Sequence, residues 1–214
     1  MLQPRPFALV FLSLAGLAIG ETRFGRPVAK LANPKEFEFV NFEDARFPVI
    51  HKNAASVACM AYREQQRYYV EVAVTNPSAK PIMLSKDFVQ LKSDAGFSPL
   101  DTLAVAADVE RTGAAPTTPQ LSASRASSIS SGTITSGDDR NGNMLAAIAR
   151  TTQEHANQLA TRLKTMGHER QSLSIEPGGT RFYVFVFEQA GRKKGPFEIA
   201  VATGAETLVF PYKE

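Results

Sequence analysis

The sequence predicts a mainly β protein, an antiparallel sandwich or barrel built as one domain, and three observations carry that expectation. "RYYVEVAVT" sets Tyr68, Val70, Val72 and Val74 on one face and Tyr69, Glu71, Ala73 and Thr75 on the other, the period-two pattern of a strand that buries one side. Apolar runs of this kind recur about every ten residues with turn formers between them, as in sandwiches and barrels. "FYVFVF", Phe182 to Phe187, is apolar on both faces, which requires cover on both faces, as for a central strand. With 214 residues, 43% hydrophobic and 21% charged, the chain has the composition of a globular protein with room for one good core.

The elements follow in chain order. "MLQPRPFALVFLSLAGLAIGET" places Arg5 before an apolar stretch from Phe7 to Leu17, then Ala18 and Gly20 ahead of Glu21, the layout of a secretory leader over residues 1–20. The apolar stretch is shorter than the roughly 20 residues of a spanning helix. The expected mature domain is 21–214, with no membrane span once the leader is removed, in the periplasm, on the cell surface or secreted. A strand is expected near Lys35 to Phe42 with loops on either side, then "ASVACMAY" and "RYYVEVAVTN" form a hairpin. "NPSAKP" stops the second strand, because Pro77 and Pro81 donate no backbone hydrogen bond and Asn76 accepts turn geometry. "IMLSKDFVQL" resumes the β pattern and "SDAGFSP" reads as a turn.

Composition shifts after Val109. Thr112 to Gly142 is dominated by Ser, Thr, Gly and Ala, offers little apolar area against the entropy of ordering it, and reads as a disordered insertion. From Met144 to Met166 the period becomes three and four, with Leu145, Ile148, Ala156, Leu159, Ala160 and Leu163 in one stripe, Asn143 as cap and Gly167 as stop. This is an amphipathic helix of about six turns, with Arg150, Glu154, Asn157, Arg162 and Lys164 on its solvated side. β structure returns in "SLSIEPGGTRFYVFVFEQ", "GPFEIAVAT" and "ETLVFPY". Phe182, Val184 and Val186 are expected to face Tyr68, Val70, Val72 and Val74 in the core, leaving Tyr183, Phe185 and Phe187 beneath the helix.

Residues that could carry chemistry are few. There is no G-x-S-x-G elbow, S-x-x-K pair, phosphate loop or dinucleotide fingerprint. His51, His155 and His168 stand at no paired spacing, and a single cysteine, Cys59, shares a strand face with Val57 and Ala61 and reads as a small core residue. Met60, Met83, Met144 and Met166 lie on separate elements, so a copper site is not expected. "DDRNGN" imitates the start of a calcium loop with Asp139, Asn141 and Asn143, but Met144 and Arg150 occupy positions that need Gly and Glu. A loop leading into a helix cap accounts for those letters. The net charge of +3 is a weak excess with no concentrated basic face, so no nucleic-acid partner is expected. The remaining candidate is "GRKKGP", where Arg192, Lys193 and Lys194 form a cationic hairpin tip able to touch a partner.

"VEVAVTNPSAKPIMLSKDFVQLKSDAG", "LSIEPGGTRFYVFVFEQ" and "FEIAVATGAETLVFPY" together resemble a broad group of exported bacterial proteins of unknown function with immunoglobulin-like sandwiches. The resemblance covers about half of the mature chain, rests on structural residues, and implies an immunoglobulin-like β-sandwich and export, carrying over no active site. The expected function is a non-catalytic secreted or cell-envelope module that binds a protein or glycan partner through loops or a sheet edge. No cofactor, metal or catalytic residue is expected. The alternative is a small extracytoplasmic hydrolase or metal carrier with a dispersed site.

Overall fold

The computed structural model describes residues 21–43, 45–94, 96–114, 138–169, 173–191 and 195–213. The leader at 1–20, positions 115–137 of the insertion, and Arg192, Lys193 and Lys194 lie outside the described residues. Strands β1 (Thr22–Arg23), β2 (Arg26–Pro27) and β3 (Lys30–Leu31) precede a single 3-10 turn (Pro34–Glu36). Next come β4 (Glu38–Phe42), β5 (Ala45–His51), β6 (Ser56–Glu64), β7 (Arg67–Thr75), β8 (Ile82–Met83), β9 (Val89–Lys92) and β10 (Phe97–Leu100). Helices α1 (Thr102–Ala114) and α2 (Asp138–Glu169) follow, and β11 (Ser174–Ile175), β12 (Thr180–Gln189), β13 (Phe197–Ala202) and β14 (Thr207–Lys213) complete the chain.

Among the described residues the protein is mainly β, with two helices and antiparallel sheets. A six-stranded sheet runs in the order β10-β12-β7-β6-β5-β4, and a four-stranded sheet in the order β3-β14-β13-β9. The two short sheets are β1-β2 and β11-β8. The large sheets bury one shared cluster that includes Val57, Cys59, Val70, Val72, Phe185, Ile199, Val201 and Phe210. Aromatic rings interlock across it: Phe88 meets Tyr183 and Phe185 edge-on at 5.0 and 5.1 Å, and Tyr68 meets Phe197 at 5.2 Å. The Tyr212 hydroxyl crosses between the sheets and donates to the Cys59 carbonyl at 3.0 Å, so even the polar end of this ring is satisfied inside the core.

The helices cover the opposite face of the six-stranded sheet. Leu159, Leu163, Ala156 and Ala160 of α2, with Val105, Ala106 and Val109 of α1, pack on Met60, Tyr62, Tyr69, Val184 and Val186. β12 is therefore covered on both sides, but in the reverse sense to the sequence expectation. Tyr183, Phe185 and Phe187 pair with Val72, Val70 and Tyr68 and fill the space between the sheets, while Val184 and Val186 lie under the helices. The reason is volume. Sheets pack about 10 Å apart, a gap that the long rings of β12 fill, whereas the small Ala156 and Ala160 positions of α2 lie over the cluster that holds the short side chains of Val184 and Val186.

Four further differences have local causes. Tyr69 and Glu71, expected in water, are 0% and 2% exposed, because α1 and α2 lie over them. α1 was not expected; Asp101 caps it, its Oδ1 accepting from Leu103 N–H at 2.9 Å and from Ala104 N–H at 3.4 Å. Thr112 belongs to α1, and α2 starts at Asp138, so the ends of the expected insertion are helical and Asn143 stands inside a helix, not at its cap. Among the described side chains of α2, Ile148 is 51% exposed, whereas Leu159 and Leu163 are fully buried and seat the later turns on the sheet.

Asn76, at the end of β7, is completely buried. Its amide nitrogen donates to the carbonyls of Lys80 and Ile175, both at 2.8 Å, and its oxygen accepts from Ser78 N–H at 2.9 Å and Ser78 Oγ at 2.7 Å. One side chain thus shapes the "NPSAKP" turn and ties it to β11, which satisfies polar groups that burial would otherwise strand. Among the described residues no helix is long and apolar enough to cross a membrane.

Candidate functional site

Among the described residues, the helices leave one end of the six-stranded sheet uncovered, and a polar row crosses it there. His51 pairs with Ser56, Ser56 with Thr75, and Thr75 with Thr180, on β5, β6, β7 and β12 in turn. Side chains of directly paired residues share a face, so period-two alternation on four strands places an imidazole and three hydroxyls in one line. His51 Nδ1 lies 2.9 Å from Ser56 Oγ, and the Thr75 and Thr180 hydroxyls are 2.9 Å apart. His51 Nε2 lies 3.6 Å from the Glu38 carboxylate on edge strand β4, beyond a hydrogen bond but within the range of an ion pair when the ring is protonated.

Next to this row the surface sinks into an apolar groove. Its floor is formed by Phe47, Val49, Ala58 and Ala73, and the stacked rings of Phe42 and Phe182, 4.5 Å apart, close one side. The cavity measures about 200 Å³. Val40 borders it and is 43% exposed.

A ring of alternating charges anchors the groove on its helix side. Arg23 Nη2 lies 2.6 Å from Glu43 and 3.3 Å from Glu71, and Arg162 contacts the same two carboxylates at 2.9 and 2.8 Å. The four residues come from β1, the β4–β5 turn, β7 and α2, so the ring joins the N-terminal hairpin, the sheet and the helix. Tyr62 adds a hydroxyl that donates to Glu71 at 3.2 Å. Arg162, expected on the solvated side of its helix, lies 5.6 Å over the Phe42 ring, and thereby holds that side of the groove in place. Burial acts to raise the Glu43 carboxyl, but the Arg23 hydrogen bond and the charges of Arg162 and Arg23 outweigh it and hold the group below its ordinary value. Burial, then the Glu71 charge, pushes the Tyr62 phenol well above its ordinary value.

The residues singled out from the sequence do not converge here, apart from His51. Cys59 is fully buried, and burial raises its thiol so far that it stays protonated. His155 borders a separate cleft beside Gly25, Arg26 and Arg67. Met60 packs under the helices, where the partly buried Met166 joins the same cluster, and Met83 is 66% exposed on β8. Among the described residues no three His, Cys, Asp or Glu side chains are grouped to hold a metal ion. The residues that sequence reasoning missed are Glu38, Ser56, Thr75 and Thr180. The signal was a polar residue at the end of each of several strands, which becomes a row only once the register is known.

No family model matches the chain, and no curated protein or solved structure is found to be similar to it.

Proposed function

We propose that this protein is a non-catalytic exported module, an immunoglobulin-like sandwich carrying a helical insertion, that binds a glycan on the uncovered end of its six-stranded sheet. The observation that supports this reading is the pairing of the His51, Ser56, Thr75 and Thr180 row with the Phe42 and Phe182 rings beside one groove. A sugar has an apolar C–H face and a rim of hydroxyls; aromatic rings accept the first, and hydroxyl, imidazole and carboxylate groups exchange hydrogen bonds with the second. The basic tip at Arg192, Lys193 and Lys194 remains a proposed auxiliary contact for an acidic partner. A glycan-array screen of the mature chain tests the proposal. Retention of a defined glycan, weakened at least tenfold by Phe182→Ala and by Thr75→Val with Thr180→Val, is the expected outcome. Capture of a protein partner with no glycan bound, or retention indifferent to these substitutions, would refute it.

A second reading is favoured by one observation. His51 stands between a hydroxyl and a carboxylate, the order of nucleophile, base and orienting acid used in acyl transfer. A fluorophosphonate adduct on Ser56 that is lost in His51→Ala would establish this hydrolase reading in place of the first.

A further inference from the structure

A second opening lies on the other side of the sheet, where β5 and β6 part. Their pairing covers only residues 49–51 against 56–58, and Pro48, the next residue of β5, has no N–H with which to continue the ladder. The free edge of β6 is taken instead by the N-terminal segment: Val28 bridges Tyr62, and Ala29 N–H donates to the Ala61 carbonyl at 2.8 Å. Two residues later the same segment joins the other sheet, as β3 pairs with β14. The wedge left between β5 and this crossing segment is a cavity of about 430 Å³, within the ~300–1,000 Å³ usual for small-ligand sites.

The walls of the wedge are apolar, formed by Val28, Leu31, Phe39, Pro48 and Tyr212, and its mouth carries Lys30, Arg46 and Lys213 against one carboxylate, Glu21. Lys30 and Lys213 are direct cross-strand partners, an arrangement of like charges that disfavours the folded state. Neither lysine forms an ion pair among the described residues. The Arg46 guanidinium lies 4.1 Å over the ring of Phe39, itself a wall of the cavity. A lysine on an edge strand such as β3 guards against unwanted strand pairing, but that role needs neither a second lysine opposite nor an arginine at the mouth of an apolar hole.

We propose that this wedge binds a free amphipathic carboxylate, its apolar chain in the cavity and its anionic head between Lys30, Lys213 and Arg46. The head supplies the charge that the facing lysines lack, and the chain fills space that water occupies at a cost. The site is separate from the groove on the helix side, so the two stand or fall independently.

Calorimetric titration of the mature chain with decanoate, decan-1-ol and decyltrimethylammonium tests the assignment. Decanoate is expected to bind at least tenfold more tightly than either comparator. The double substitution Lys30→Gln, Lys213→Gln is expected to weaken decanoate at least tenfold, to leave decan-1-ol unchanged, and to raise the unfolding midpoint of the ligand-free protein by relieving the repulsion. Equal binding of all three chains, or decanoate binding unaffected by the double substitution, overturns the proposal. A fall in the midpoint would overturn it too, by giving the lysines a purely structural role. Binding to phosphatidylglycerol vesicles without binding to decanoate would overturn it in favour of a membrane-surface patch.

Discussion

Replacing Glu71 by Gln removes one corner of the charge ring while keeping its shape. The Glu71 side chain is 3% exposed and accepts from Arg162 at 2.8 Å, Arg23 at 3.3 Å and Tyr62 at 3.2 Å. Arg23, 1% exposed, would then lose a buried carboxylate and keep that of Glu43, which is itself 46% exposed and screened by solvent. Breaking a buried pair by removing one partner costs about 3–5 kcal/mol, because the remaining charge stays desolvated. In a domain of this size that lowers the unfolding midpoint by roughly 6–20 °C. Removing both together, Arg23→Met with Glu71→Met, takes away the charge that the single variant leaves desolvated, although the Tyr62 hydroxyl still loses its acceptor, and is expected to recover part of the loss. Urea unfolding followed by far-ultraviolet dichroism measures all three proteins. A Glu71→Gln variant within about 1 kcal/mol of the parent, or a double variant no better than the single one, would show that the ring does not behave as a coupled buried unit.

Three shorter expectations accompany this one. Asn76→Asp exchanges two N–H donors for an oxygen facing the Lys80 and Ile175 carbonyls, and should cost at least the ~1–3 kcal/mol of one stranded buried acceptor, read by the same unfolding curves; Asn76→Ala should cost a similar amount. Cys59 should ignore a thiol reagent at neutral pH in the native protein and react stoichiometrically in denaturant, since it is both buried and held protonated; rapid native labelling would contradict the packing of the shared core. The Glu43 carboxyl is depressed in the folded protein, so its contribution is present above the ordinary carboxyl range and is lost as pH falls through the lower folded value. Stability should therefore drop in acid, and Glu43→Gln should flatten that drop; an identical acid profile in both proteins would remove Glu43 as its source.

β7 was legible as a strand because alternation over nine residues admits few other arrangements, although its second face is covered as well. What alternation could not say is which layer each face of β12 meets, since both are apolar; side-chain volume against layer spacing decides that, and spacing is a tertiary quantity. Glu71 reads as a wet residue from its type alone, and only the meeting of Arg23, 48 positions earlier, with Arg162, 91 positions later, makes its burial tolerable. β5 was hidden by Pro48, which argues against a strand until one sees that the ladder to β6 ends at that residue. α1 was obscured by its position against the Ser- and Thr-rich run, although Asp101 followed by Val105, Ala106 and Val109 is a helix signal. The groove residues Ser56, Thr75 and Thr180 are unremarkable one at a time, and neighbours only through register.

The crossing segment has a bearing on how the molecule is made. Ala29 is held by β6, but Leu31, two residues on, pairs with β14. An early segment of the chain therefore waits for one made about 180 residues later. The four-stranded sheet is not sealed at this edge until β14 is in place, so a chain cut before β14 would present a loose arm at Lys30 and Leu31 as well as a missing strand.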